Sequence, residues 1–204
     1  MPKSQTDSLF VTQLYRARVA RMDNAALAAT AEAMAREDMA GRRWCRDHGY
    51  KGYTSYASLD DLPMRASIFE DLAKALLPHV RIFARSLDWD MSGKALTLDS
   101  LWVNVMEKGS AHSGHIHPHS VISGTYYVQV PEGAAAIRFE DPRLPMMMAA
   151  PAKKLRAGRQ NQTFVTVSPT PGTVLLWESY LRHEVLPNIS REKRISISFN
   201  YAMR

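Results

Sequence analysis

Four of the seven histidines in this 204-residue chain, His112, His115, His117 and His119, fall within eight positions, just ahead of a strongly strand-like run from Val121 to Val130. Neutral imidazole is a good ligand for Fe, Zn, Cu and Ni. In extended backbone, residues i and i+2 point the same way, so His115 and His117 can offer two rings to one ion. Pro118 lacks an N–H and belongs at a strand edge or turn, which places the pair at a sheet rim that solvent can reach. A third ligand has to come from elsewhere, and His183 is the remaining histidine in β-rich sequence, since His48 and His79 lie in or beside the helical half. Three protein ligands leave positions open for a catalytic metal, and with Cys45 the only cysteine a closed cysteine-type zinc site is excluded. A second register pairs His117 with His119 and leaves His115 beside the metal. Glu140, Asp141 or Glu184 can each supply a carboxylate to either register.

The other chemical signal is Arg194-Ile195-Ser196-Ile197-Ser198-Phe199. Strict alternation puts Arg194, Ser196 and Ser198 on one strand face and Ile195, Ile197 and Phe199 on the other. If that arginine is buried it needs an anion: its planar fork binds carboxylate bidentately, and the Ser196 hydroxyl can add a hydrogen bond. The bland alternative is a solvated cation on an edge strand.

These residues need elements to hold them. Leu9 to Val19 alternates as an opening strand, and Asp23-Asn24 can cap an Ala-rich helix reaching to about Asp47, where Gly49 and Gly52 end it. Tyr50, Tyr53 and Tyr56 sit in an irregular, packing connection. Ile68, Phe69, Leu72, Leu76, Val80, Phe83 and Leu87 mark a second helix, which Pro78 should kink or split. After Gly93 come β-rich runs at Ala95–Met106, Val121–Val130, Ala134–Phe139, Thr163–Val167, Thr173–Trp177 and Arg194–Tyr201. Helices first and strands afterwards imply a mainly β protein with flanking helices (α+β), a jelly roll. The chain reads as one domain, 1–204, with 1–93 a strand plus helical buttress and 94–204 the β core.

Composition limits the functional classes. A 46% hydrophobic content and this length suit one sizeable core, and no apolar stretch approaches the roughly 20 residues that span a bilayer. The lone cysteine and the broken polarity of residues 1–19 imply a cytoplasmic protein. The net charge of +6 gathers late, with ten Lys or Arg against five Asp or Glu between Arg138 and Arg194. The cluster Lys153, Lys154, Arg156 and Arg159 reads as a solvated loop, because no nucleic-acid recognition motif accompanies it.

Taken in order, His115-x-His117-Pro118, Ser123-Gly124-Thr125-Tyr126-Tyr127, Phe139-Glu140-Asp141-Pro142-Arg143, Gly172 to Ser179 leading to His183-Glu184-Val185-Leu186-Pro187, and Arg194-x-Ser196 resemble the iron(II)- and 2-oxoglutarate-dependent oxygenases. The resemblance runs from about Leu101 to Tyr201 and is narrowest to a little-characterised bacterial and phage branch with an H-x-H-P motif. It implies a double-stranded β-helix (jelly roll, cupin-like) with iron(II) held by His115, His117 and His183. It also implies 2-oxoglutarate clasped by Arg194 and Ser196, with Tyr127 and Asn104 touching the cosubstrate, and O2 as the other reactant. Most of that superfamily places Asp or Glu where His117 stands. The implied reaction decarboxylates 2-oxoglutarate to succinate and hydroxylates a C–H bond, with no catalytic residue beyond the metal site. Rivals are a cupin-like metal enzyme without 2-oxoglutarate and a non-catalytic jelly-roll binding module. The primary substrate is open: Tyr50, Tyr53, Tyr56, Met146-Met147-Met148 and the basic run to Arg159 can form a lid. Edge strands can pair two copies into a homodimer.

Overall fold

The computed structural model describes residues 4–204. Ten strands form two antiparallel sheets, with two α-helices against the outer face of the larger one and a third at its edge. In chain order the strands are β1 (Tyr15–Arg18), β2 (Tyr53–Thr54), β3 (Leu96–Met106), β4 (His112–His115), β5 (Ile122–Gln129), β6 (Ile137–Glu140), β7 (Phe164–Val167), β8 (Thr173–Glu178), β9 (His183–Val185) and β10 (Arg194–Met203). The major sheet runs β1-β8-β5-β10-β3-β2 and the minor sheet β4-β9-β6-β7. The helices are α1 (Asn24–Glu37), α2 (Met39–Asp47) and α3 (Ser67–Ser86).

Strands β3, β5, β8 and β10 are buried on both faces, and each sorts its side chains by the two-residue period. Toward the helices go Val103 and Val105 of β3, Tyr126 and Val128 of β5, Val174 and Leu176 of β8, and Ile195, Ile197 and Phe199 of β10. They meet Leu27 and Ala31 of α1 and Phe69, Leu72, Leu76, Val80 and Phe83 of α3 in one core. Toward the minor sheet go Tyr127, Leu175 and Trp177, which pack on Ile137, Phe139 and Val167. Gly124 is where the first core is tightest: a Cβ there would lie 2.5 Å from the Phe199 ring and 2.6 Å from Leu176.

Three expectations need correction. The opening strand is confined to Tyr15–Arg18, where β8 offers a partner, while Leu9, Phe10 and Val11 remain exposed. The Ala-rich helix is two helices, because Asp38 turns out of helical backbone (ψ 87°) and its carboxylate accepts from Gly41 N at 2.9 Å, capping α2. Pro78 does not split α3, whose 20 residues are continuous. An interior proline costs roughly 3 kcal/mol, and the fully buried stripe from Phe69 to Phe83 outweighs it. The six β-rich runs match β3, β5, β6, β7, β8 and β10 to within three residues at either end. The short strands β2, β4 and β9 carry no run long enough to read.

Asp38 also accepts from Tyr53 Oη at 2.8 Å and from Ser58 Oγ, so one carboxylate ties α2 to the segment around β2. Replacing it with Ala removes a helix cap and leaves a buried tyrosine hydroxyl without its acceptor. We expect Asp38→Ala to lower unfolding free energy by about 2–4 kcal/mol, read from urea denaturation, with Asp38→Asn recovering part of the loss.

Candidate metal centre and cosubstrate pocket

The minor sheet assembles the histidines. Strand β4 pairs antiparallel with β9 so that the Cα atoms of His115 and His183 are direct partners, and their rings lie 4.5 Å apart. His117 follows just beyond β4, where its backbone N–H donates to Ser179 O at 3.0 Å; its ring stacks on His183 at 5.3 Å and 16° and tilts against Trp102. One donor atom from each of the three rings lies within 4.8 Å of the others, the one such grouping of His, Cys, Asp or Glu among the described residues.

Each imidazole is oriented through Nδ1. His115 Nδ1 faces Ser113 O at 2.7 Å and His183 Nδ1 faces Leu181 O at 2.9 Å. A carbonyl only accepts, so both rings carry the proton on Nδ1 and present an Nε2 lone pair. His117 Nδ1 lies 3.3 Å from the side-chain amide of Asn200, which also contacts the hydroxyls of Ser123 and Ser100. Those hydroxyls can donate or accept, so the Asn200 amide can turn either end to His117; a metal on Nε2 selects the oxygen end, which accepts the Nδ1 proton. Burial pushes His183 down to about 3 and His117 down to about 4, with the neighbouring His115 adding to both. At neutral pH both are uncharged, the form that binds metal.

The other candidates fall outside this grouping. His119 is exposed on the turn after Pro118, so the register pairing it with His117 is not assembled. Each candidate carboxylate is held by an arginine: Glu140 by Arg182 at 3.2 Å, Asp141 by Arg143 at 2.8 Å, and Glu184 by Arg138. His112 lines the same cavity as the three histidines, its Nε2 within 2.9 Å of Tyr50 Oη, and burial takes it down to about 3, helped by His115 and Arg194.

That cavity, about 330 Å³, lies between the two sheets, open on one side. The interior face of β10 presents Arg194, Ser196, Ser198 and Asn200 in sequence. Arg194 is 2% exposed, yet its guanidinium meets no carboxylate among the described residues: it donates to Ala135 O at 3.1 Å and Ser196 Oγ at 3.1 Å, lies 3.2 Å from Met106 Sδ, and sits 5.1 Å over the Tyr127 ring. Tyr127 Oη beside it and Asn104 Oδ1 are buried without a hydrogen-bond partner. A buried guanidinium without an anion is costly, and an idle hydroxyl next to it adds a second donor for the same missing group. Asn104 and Ser198 line the cavity, whereas Arg194, Ser196 and Tyr127 stand just behind its wall. The donor set fits a divalent metal next to a small carboxylate.

Residues 100–200, about half of the chain, match the family described as "Putative 2OG-Fe(II) oxygenase". The chain belongs to that family. It is therefore an enzyme of the iron(II)- and 2-oxoglutarate-dependent oxygenases, which use 2-oxoglutarate and O2 as cosubstrates. Three similar solved structures are the epimerase SnoN of nogalamycin biosynthesis in complex with Fe3+, alpha ketoglutarate and nogalamycin RO (16% identity, TM-score 0.63, 94% of this chain and 79% of that one), a Pseudomonas putida prolyl-4-hydroxylase (13%, 0.56, 94% and 94%), and HygX from Streptomyces hygroscopicus with nickel and 2-oxoglutarate bound (15%, 0.60, 94% and 82%). These likenesses are of fold, the double-stranded β-helix. No curated protein sequence matches the chain. No helix among the described residues is long and apolar enough to cross a membrane.

Sequence reasoning gave no role to Asn200 or Trp102: Asn200 continues the alternation of Arg194, Ser196 and Ser198, while Trp102 lies in the β-rich run Ala95–Met106, on the face of β3 that carries Asn104. It also left Tyr50 and His112 unjoined, 62 residues apart. The proposed lid is not assembled as drawn: Tyr56 lines the cavity, Tyr53 is buried in the helical core, and Met146-Met147-Met148 and the basic run to Arg159 contribute nothing to its lining.

The buried histidines make the metal-free protein acid-sensitive. Free histidine titrates near 6.5, so the unfolded chain binds protons at His112, His117 and His183 that the folded chain rejects until about pH 3–4. Their contribution to stability is complete above about pH 6.5 and falls away as pH drops from there toward 4. Thermal melts of chelator-treated protein should show a Tm that falls between pH 7.5 and 5, and more gently in His112→Phe.

Proposed function

We propose that His115, His117 and His183 hold iron(II), that Arg194 and Ser196 anchor the distal carboxylate of 2-oxoglutarate with Tyr127 and Asn104 beside it, and that the enzyme hydroxylates a C–H bond of its primary substrate. The observation that carries this is the pairing of three ring nitrogens with a buried, acid-free guanidinium at the other end of one strand, β10. Iron(II) with 2-oxoglutarate supplies the oxidising chemistry, coupling O2 reduction and decarboxylation to succinate with C–H hydroxylation.

The chain positions and shields. Carbonyl oxygens of Ser113 and Leu181 fix the tautomers of His115 and His183, and the Asn200 side chain holds the His117 ring through its Nδ1. Arg194 offers its fork to a carboxylate while Ser196 Oγ and Tyr127 Oη bring further donors to that end. Trp177, Phe139, Ile137 and Val185 wall the centre with apolar surface, which keeps water away and strengthens the interactions inside. No side chain has to act as a general base.

Three neutral imidazoles leave the ion's charge uncompensated by protein ligands, unlike a set that contains a carboxylate. The dianionic cosubstrate supplies that compensation, so iron and 2-oxoglutarate binding are coupled. The 204 residues act as one domain, with 1–93 buttressing the core, and the lone buried Cys45 suits a reducing cytoplasm. The short edge strands β4 and β7 offer a homodimer contact.

Anaerobic addition of 2-oxoglutarate to the iron(II) protein should produce a weak visible charge-transfer band, and succinate should form under air; absence of both would defeat the proposal. His115→Ala, His117→Ala and His183→Ala should each lose bound iron by elemental analysis while His119→Ala keeps it; the reverse pattern for His115 and His119 would install the other register. Arg194→Lys keeps the charge but not the fork, and should weaken 2-oxoglutarate about 10- to 100-fold in the same titration.

A further inference from the structure

The cavity that holds the three histidines has no ionised lining. Among the described residues that face it there is no Asp, Glu, Lys or Arg, in a chain with 26 basic and 20 acidic residues. Its outer part is aromatic: Trp102 meets Tyr56 edge-on with ring centres 5.0 Å apart, and Trp44 is backed by His48 stacked at 4.2 Å and 17°. Tyr56 and Ile116 stay 49% and 44% exposed there, well above what an aromatic or branched aliphatic side chain keeps inside a core. Neutral hydrogen-bonding groups, Thr54, Asn104, Thr125 and Ser198, complete the wall.

A charged group entering this space would lose water and find no counter-ion among the side chains that line it, a cost of several kcal/mol even after relaxation. A planar ring would gain apolar contact and stacking instead. Volume narrows the choice further. About 330 Å³ is at the small end of ligand pockets, and 2-oxoglutarate must share it, so one ring-sized group can approach the metal while the remainder of the substrate stays outside.

We propose, on the reading of this site as the iron and 2-oxoglutarate centre, that the primary substrate presents an uncharged planar ring to it, and that Trp44 and Tyr56 with Trp102 select that ring. Trp44, Thr54 and Tyr56 precede residue 100, where the family match begins. The chemistry therefore resides in the matched half and the choice of substrate is shared with the helical half, whose α2, β2 and the turn after β2 carry these side chains to the opening. Arg42, Arg43 and Arg46 of α2 are exposed and line none of the cavity, so an anionic tail can lie along them only outside it.

The test uses three probes built on one benzene ring: 4-methylphenol (neutral), 4-methylphenyl phosphate (anionic) and benzyltrimethylammonium (cationic). Each is added anaerobically to the iron(II) protein with 2-oxoglutarate. Binding is read from perturbation of the charge-transfer band and from iron-induced relaxation of probe protons, with zinc-loaded protein as reference. The neutral probe should bind at least tenfold more tightly than either charged one. Trp44→Ala and Tyr56→Ala should each weaken it about three- to tenfold, with the band before probe addition confirming an intact centre. A normal band with no binding of 4-methylphenol, with equal or tighter binding of a charged probe, or with indifference to both substitutions overturns the substrate class and leaves the metal centre standing. A missing band overturns the reading on which it rests.

Discussion

Strand β10 has to satisfy two cores at once, and the site depends on that constraint. It lies inside the major sheet between β5 and β3, with the helices over one face and the minor sheet over the other, so neither face is left to solvent. The face with Ile195, Ile197 and Phe199 is locked into the helical core, and a slip of one residue would put those side chains between the sheets and the polar ones against α1 and α3. Apolar packing on one side thereby fixes Arg194, Ser196, Ser198 and Asn200 on the other. Those four span the site, from the guanidinium at one end to the amide that touches His117 at the other.

Electrostatically the centre is unusual in having no acid at either end. The candidate carboxylates Glu140, Asp141 and Glu184 are each taken up by an arginine on the minor sheet or its loops. His117 and His183 are driven toward their neutral forms by burial and by the neighbouring His115, and Arg194 is desolvated without a carboxylate partner among the described residues. Both conditions are unfavourable until a cation sits among the histidines and an anion beside the arginine. One metal-carboxylate pair suits both the neutral imidazoles and the buried guanidinium.

The β architecture was largely legible because its long strands bury both faces and are rich in β-branched and aromatic residues, as in Thr173–Trp177 and Arg194–Tyr201. The helix limits were less so. Nothing local distinguishes Asp38 from an ordinary polar helix residue; its break follows from Tyr53 and Ser58, 15 and 20 residues away, which share its carboxylate. Pro78 misled in the opposite direction, since a local penalty of a few kcal/mol yields to a fully buried stripe. The strands β4 and β9 hold four and three residues, too few for any periodicity, and they exist by pairing, β4 with β9 and β9 with both β4 and β6.

By itself the sequence determined which side chains could do the chemistry: the H-x-H pair by its spacing, Arg194 and Ser196 by alternation on one face, and the exclusion of a cysteine-ligated site by composition. Tertiary structure decided which histidines meet, because the choice between His115 and His119 turns on the β4–β9 register that sets His115 opposite His183. It also decided that no carboxylate joins them, through ion pairs that form only once the sheets close. And it brought Trp44 and Tyr56 to the cavity, since packing of the helical half on the sheet is a long-range event that no local pattern encodes.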